Sequence, residues 1–112
     1  MKKFMVLYMA PAAEFGKLMA NANPEDMKKS MSDWRAWMEK HKESFIDGGA
    51  PLGKTKRVTA EGVTDVKNDI GGYSIIQAES HEAATKLFQG QPHFSIPGSW
   101  IEVMEIREMP GI

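Results

Sequence analysis

The sequence predicts an α+β domain in which two helices lie on one face of an antiparallel sheet. Three observations predict it: a strongly apolar first strand, two helices with clear start signals, and the element order strand, helix, strand, strand, helix, strand. The 112 residues are enough for one domain, 1–112, and too few for two.

The first strand is apolar on both of its faces. Its alternating side chains are Phe4, Val6 and Tyr8 on one face and Met5, Leu7 and Met9 on the other. A strand that is covered on one side only alternates apolar with polar residues, so each face of this strand needs a cover. Two helices suffice for one face, and a second copy of the chain is the natural cover for the other. We therefore predict a homodimer.

The first helix has a well-defined start at Asn23 and Pro24. Residues 10–23 are expected to be a connection with one helical turn around 15–19. Asn at the N-cap, Pro at the first position and two acids in the first turn then favour a helix that runs to about Lys42. One stripe of this helix and its continuation is apolar, at Met27, Met31, Trp34, Met38 and Phe45, with Trp37 and His41 on its flank.

The second half of the chain supplies the remaining elements. We predict a short strand at 45–47 that ends at Gly48-Gly49 and Pro51, a hairpin of 55–59 with 63–66, and a strand at 73–78. Ser80 is expected to cap a second helix with Gly90 at its end, followed by a loop at 92–98 and a last strand at 100–106. This order is the split βαβ, ferredoxin-like arrangement.

Several short motifs resemble the YCII-related family, near its DGPF-type branch. They are Gly48-Gly49-Ala50-Pro51-Leu52, Gly72-Tyr73-Ser74-Ile75-Ile76, Ala78-Glu79-Ser80 and Ile101-Glu102-Val103, and the resemblance covers roughly 4–106. It implies a dimeric α+β barrel in which two sheets face each other. Some relatives in this family resemble small cofactor-independent enzymes that use a His–Asp pair.

Two departures limit what the resemblance implies about residues. The segment 63–69 stands where the DGPF tetrapeptide would be, and only Asp65 matches it. The histidine of the enzyme-like branch would fall near Asp33 or Trp34, and neither is a histidine. The resemblance therefore implies a catalytic role only for Asp47, next to Gly48.

Composition and motifs exclude several function classes. The chain has no cysteine and a net charge of −1, which argues against thiolate chemistry, disulfides and a nucleic-acid surface. Neither paired histidines at metal-ligand spacing nor a phosphate-binding loop is present, so we expect no metal and no cofactor. The apolar start superficially resembles a signal peptide, but no small-residue cleavage site precedes Pro11, and we expect a cytoplasmic protein without a membrane partner.

Two of the three histidines are candidate catalytic residues. His93 lies in a loop between Pro92 and Pro97, where a rigid scaffold commonly holds functional groups. It is either a functional group at a cleft or a solvated residue of a turn. His41 is either a general base at the pocket wall or a helix-end histidine that favours the helix dipole.

Aromatic residues and one acid are candidate ligand-binding groups. Trp34, Trp37 and Trp100, with Phe94 of the His93 loop, are interpreted as a pocket wall or as core and dimer packing. Glu102 shares a strand face with Trp100, and it is either a pocket acid or a partner for a lysine at the subunit boundary. Two functions stay open: a pocket for a small organic molecule with acid–base catalysis, or a non-catalytic accessory domain.

Overall fold

The computed structural model describes residues 1–110, which form a ferredoxin-like α+β fold. Its elements in chain order are β1 (Lys2–Met9), α1 (Ala12–Asn21), α2 (Pro24–Lys40), β2 (Phe45–Pro51), β3 (Thr55–Thr59), β4 (Gly62–Val66), β5 (Ile70–Ala78), α3 (His81–Lys86) and β6 (Trp100–Glu105). Two 3₁₀ turns span Lys42–Ser44 and Pro92–Ser95. The main sheet has the order β2-β5-β1-β6 with antiparallel neighbours, which confirms the predicted fold class.

The register of β1 separates the two faces of this sheet. Val6 lies opposite Ser74 of β5 and Val103 of β6, and all three point toward the helices. Leu7 lies opposite Tyr73 and Glu102 on the other face, where all three side chains keep part of their surface exposed. Directly opposed residues share a face because side chains alternate along a strand. We call this other side the open face.

The core lies between the main sheet and the helices α2 and α3. Its buried residues are Phe4, Val6, Tyr8, Trp37, Ile76, Ala78, Ala84 and Phe88. Apolar burial contributes on the order of 25 cal/mol per Å² removed from water, so these side chains are the main source of stability. Trp34 and Phe45 pack against this cluster from its edge while keeping part of their surface exposed.

Both predicted helix starts are confirmed by their hydrogen bonds. Asn23 Oδ1 accepts from the Asp26 backbone N–H at 2.8 Å, and Pro24 opens α2. Ser80 Oγ accepts from the Ala83 N–H at 3.0 Å at the start of α3. Each side-chain oxygen satisfies a backbone donor that has no partner inside its helix.

The prediction of a connection with a single helical turn over residues 10–23 is wrong, because Ala12–Asn21 forms the helix α1. The support for this helix comes from distant residues that local propensity does not reveal. Asp69 Oδ1 accepts from the Ala12 N–H at 3.0 Å, which satisfies a donor of the first turn. The Phe15 ring lies against Gly71, where an added Cβ would come within 2.3 Å of it.

The predicted end of the second strand at Asp47 is also wrong, because β2 continues to Pro51. Its pairing with β5 shifts register between Phe45 and Asp47 and again before Ala50, so the strand is bulged. Gly49 has φ +76°, a conformation that glycine adopts readily. The two glycines therefore bend this edge strand without ending it.

The hairpin of β3 and β4 forms a separate two-stranded sheet. Its pairing matches the predicted 55–59 and 63–66 strands, with Lys56 opposite Asp65 and an ion pair of 2.7 Å between them. In the described part of the chain, no helix is long and apolar enough to cross a membrane.

Candidate functional site

A cavity of about 1250 Å³ lies between α1, α2 and the bulged strand β2. It is larger than the roughly 300–1,000 Å³ common for small-molecule sites, and exposed α1 residues stand at its mouth. Its apolar wall includes Tyr8, Phe15, Leu18, Met31, Trp34, Met38, Phe45 and Ile96. Most of these side chains come from the helices, so the packing of α1 and α2 over the sheet creates the space.

His93 is a buried residue of the Pro92–Ser95 turn and lines this cavity. Its side-chain Nε2 lies 2.6 Å from the backbone oxygen of Met9 at the end of β1. A carbonyl oxygen only accepts, so Nε2 carries a proton, and in the neutral imidazole Nδ1 is then the nitrogen with the lone pair. Nδ1 has no hydrogen-bond partner within residues 1–110, and it is not among the fully buried unpartnered atoms there. Of the two ring nitrogens, Nδ1 is therefore the one without a hydrogen bond to the described residues.

The alternative that His93 is a solvated residue of a turn is wrong. The ring is 4% exposed and packs edge-on against Tyr8, with ring centroids 5.7 Å apart. The turn is closed around it, since Gln91 Oε1 accepts from the His93 backbone N–H and Ser99 Oγ donates to its backbone oxygen. The flanking prolines predict this turn from the sequence. They do not predict its contact with Met9, because the two residues are 84 positions apart.

Tyr8 stands next to His93 at the centre of the aromatic wall. Its hydroxyl lies 3.0 Å from Ser74 Oγ, which donates to the Gly48 backbone oxygen at 2.9 Å. Because the single Ser74 proton goes to a carbonyl, the Tyr8 hydroxyl must donate to Ser74. Burial raises the pKa of Tyr8 to about 12, and the Ser74 hydrogen bond opposes that rise. Tyr8 is thus a neutral phenol at pH 7 and keeps a free lone pair.

The bulge of β2 positions the Gly48 backbone oxygen, which is the last acceptor in the series of hydrogen bonds from Tyr8 through Ser74. Gly49 lies so close to β5 that an added Cβ would be 1.6 Å from the Tyr73 backbone oxygen. Asp47 Oδ1 accepts from the Gly49 N–H at 2.8 Å and holds the bend. The exposed Asp47 carboxylate is engaged there, and it is not part of the cavity wall.

Of the residues predicted from sequence on the helix side, the structure brings Trp34 and His93 to the cavity. Trp34 packs edge-on against Tyr8 with ring centroids 4.8 Å apart. Trp37 lies in the core, and its Nε1 is buried without a partner among the described residues. His41 ends α2, with its ring 5.0 Å from that of Trp37, outside the cavity lining.

The other predicted binding residues lie elsewhere. Trp100 and Glu102 are on the open face, where Trp100 Nε1 donates to Glu102 Oε2 at 2.8 Å. Glu102 therefore pairs with its strand neighbour. Phe94 is 48% exposed and lines a smaller cavity of about 240 Å³ between α3 and β6. These three residues and the Trp34–His93 group do not form one pocket.

Sequence reasoning missed Tyr8, Ser74 and Phe15 as site residues. The alternation of β1 identifies Tyr8 only as an apolar strand residue, although its hydroxyl needs a partner when buried. Ser74 is a polar residue at an inward position of an otherwise apolar strand, which was a usable signal. Among residues 1–110, no group of three or more side chains has the arrangement of a metal site.

Comparisons with known proteins support the fold. Neither a family model nor a curated protein matches the sequence. A solved structure is similar: 5-chloro-2-hydroxyhydroquinone dehydrochlorinase (TftG) from Burkholderia phenoliruptrix AC1100, in complex with 2,5-dihydroxybenzoquinone. It shares 18% identity at a TM-score of 0.50, covering 97% of this chain and 95% of that chain. This likeness supports the fold alone, whereas membership of the YCII-related family and of its DGPF-type branch stays a prediction.

Proposed function

We propose that the cavity binds a small, flat, largely apolar organic molecule and that His93 accepts a proton from it without a cofactor. The observation that carries the proposal is the unpartnered Nδ1 of a buried histidine at a cavity walled by aromatic rings. Predominantly apolar walls with a few fixed polar groups are typical of small-molecule sites. A base at a fixed position in such a site meets the geometric requirement for proton transfer.

The proton transfer follows from the hydrogen bonds of His93. A proton leaves an acidic C–H or O–H of the bound molecule and joins Nδ1, while Nε2–H keeps its bond to the Met9 oxygen. The Met9 carbonyl stabilises the resulting imidazolium because it accepts a hydrogen bond from Nε2–H of the charged ring. Return of the proton to a different atom of the molecule completes a tautomerisation and regenerates neutral His93.

Tyr8 has a different part in this proposal. Its raised pKa makes it a poor base at neutral pH, and its proton is engaged with Ser74. The remaining lone pair on its oxygen accepts a hydrogen bond from a hydroxyl of the bound molecule. Its ring, together with Trp34, provides an edge-to-face wall that orients a flat ligand.

The structural neighbour supports the class of ligand by analogy of fold. Its name describes a dehydrochlorinase of a hydroxyhydroquinone, and its complex contains a dihydroxybenzoquinone. Small oxygenated rings of this kind have the size and the acidic hydrogens that the proposal requires. Because one fold hosts many functions, the weight of the proposal rests on the His93 geometry of this chain.

We further propose that the chain acts as a homodimer joined through the open face. Apolar side chains dominate that face, with Met5, Leu7, Ile75 and Met104 near its centre. Met104 is exposed and the other three are partly exposed, and apolar patches that reach the surface commonly mark interaction sites. A second copy of the same sheet offers a matching surface on a twofold axis.

A binding function without turnover is the second candidate. The observation in its favour is that no carboxylate contacts the His93 ring among the described residues. The two predicted catalytic partners, Asp47 and His41, are not in the cavity wall. A histidine supported only by a carbonyl can orient a ligand as an acceptor without removing its proton.

Hydrogen–deuterium exchange of an enolisable ketone distinguishes the two functions. We expect 2-tetralone, a flat two-ring ketone, to bind and to exchange its acidic C–H about 100-fold faster with the protein than with buffer alone. His93→Gln should abolish the acceleration and retain binding, since the glutamine amide replaces the donor to Met9. Proton NMR in D₂O follows both quantities.

His81→Gln is the matched control for this substitution. His81 Nε2 also lies near a backbone oxygen, that of Val103 at 2.7 Å, but His81 is outside the cavity. The control should keep the full rate of exchange. Binding without accelerated exchange would favour the second candidate, and absence of binding by any flat ketone or phenol would refute the small-molecule function.

A further inference from the structure

The charged side chains at the mouth of the cavity are predominantly cationic. Among residues 1–110, four cations line the cavity, and Glu39 is the single carboxylate of its lining. Glu39 is already paired with Lys42 at 3.1 Å. The other three cations, Arg35, Lys54 and Lys67, have no carboxylate within 4.0 Å in the described part of the chain. We call these three residues the cationic rim.

The cationic rim is assembled from three separate segments. Arg35 belongs to α2, Lys54 precedes β3, and Lys67 follows β4. The complete chain has a net charge of −1, so this concentration of positive charge is local. A local field of one sign at a cleft raises the concentration of oppositely charged ligands there.

Two residues of the cationic rim flank the same end of the β3–β4 hairpin. Lys56 lies opposite Asp65, and Thr55 lies opposite Val66, so Lys54 and Lys67 occupy the next opposed positions beyond the ladder. Inside the hairpin, Lys56 is paired with Asp65, whereas both residues at the end that borders the cavity, Lys54 and Lys67, are cations. A negative group of a ligand at this end of the hairpin would therefore face two cations of the cavity lining.

We propose that the cavity selects aromatic anions, carboxylates or phenolates, through the cationic rim; this inference rests on the small-molecule binding proposed above. The flat ring of the ligand packs against Tyr8 and Trp34, and its negative group faces Arg35, Lys54 and Lys67. The same rim stabilises the negative charge that a bound molecule acquires when it gives a proton to His93.

Three probes with one ring system and different charges test this selection. They are 1-naphthoate, 1-naphthamide and 1-naphthylmethylammonium, titrated into the full chain by calorimetry at pH 7.5. An exposed ion pair is worth about 1.5- to 5-fold in affinity, so we expect the anion to bind about tenfold more tightly than the cation. This preference should shrink at high salt because the charges are exposed and therefore screened.

The triple variant Arg35→Gln, Lys54→Gln, Lys67→Gln should bind the three probes with nearly equal affinity. A matched triple variant, Lys28→Gln, Lys29→Gln, Lys40→Gln, removes the same net charge from α2 outside the cavity lining. It should keep the tenfold preference. Equal loss of preference in both variants would show an effect of net charge alone and would overturn the inference.

The outcomes separate this inference from the proposed function. Equal binding of all three probes by the unmodified chain would overturn anion selection and leave small-molecule binding intact. If none of the three probes binds, small-molecule binding fails and anion selection fails with it. Tighter binding of the cation or of the neutral amide would also overturn the inference.

Discussion

Replacement of His93 by alanine or by glutamine separates its structural role from its chemical role. His93→Ala removes the donor to the Met9 oxygen, which costs about 1–3 kcal/mol when a buried acceptor loses its partner. It also removes the edge-on packing against Tyr8, which is worth about 0.5–1.5 kcal/mol. We therefore expect a loss of about 2–4 kcal/mol in the free energy of unfolding. His93→Gln keeps a donor near the position of Nε2 and should lose about 1 kcal/mol.

Urea unfolding of the two variants beside the unmodified chain measures these differences directly. For a domain of this size, 1 kcal/mol corresponds to a shift of about 4–8 °C in Tm, so thermal melts provide an independent reading. His93→Ala and His93→Gln should differ in stability, but both should lose proton transfer. If His93→Ala were as stable as His93→Gln, the hydrogen bond to the Met9 oxygen would contribute nothing to stability. The fixed tautomer on which the proposed base depends would then lose its support.

Three further predictions follow from the same structure. The folded-state pKa of Tyr8 is raised to about 12, so the contribution of its neutral phenol to the free energy of unfolding is present below pH 10 and is lost as pH rises from 10 to 12. The stability of Tyr8→Phe should therefore fall less between pH 8 and pH 11.5 than that of the unmodified chain, as unfolding measured at both pH values will show. Gly49→Ala should destabilise by about 3 kcal/mol or more in urea, since its Cβ would meet the Tyr73 backbone, whereas Gly53→Ala meets nothing within 4 Å and should be nearly neutral. Light scattering should show a dimer that buries on the order of 1,600 Å² in total, and Leu7→Glu on the open face should yield a monomer; a stable monomer of the unmodified chain at micromolar concentration would contradict the proposed interface.

The elements that sequence predicted well have local causes. Asn23-Pro24 and Ser80 specify helix starts by hydrogen bonds within three residues, and alternation in β1 specifies a strand with two apolar faces. The errors have non-local causes. The helix α1 depends on Asp69 and on the contact of Phe15 with Gly71, and both join segments more than 50 residues apart.

The candidate site was harder to predict for the same physical reason. Residue type alone suggests that the three tryptophans lie together, but Trp100 is on a strand face that points away from Trp34. The burial of His93 depends on the end of β1, which no local pattern in the turn reveals. The position of His93 in a loop predicted a functional role, which stays a prediction, but it did not reveal that the side chain is buried.

The end of β1 links the core, the cavity and the open face through three consecutive residues. Leu7 points to the open face, Tyr8 points to the cavity, and the backbone oxygen of Met9 holds His93. The pairing of β1 with β5 shifts register between Tyr8 and Met9, so the strand is irregular where the site begins. A one-residue slip of a strand exchanges its faces, which would place Tyr8 on the open face and Leu7 in the cavity. The register of this strand is therefore a common requirement of the core, the proposed base and the proposed interface.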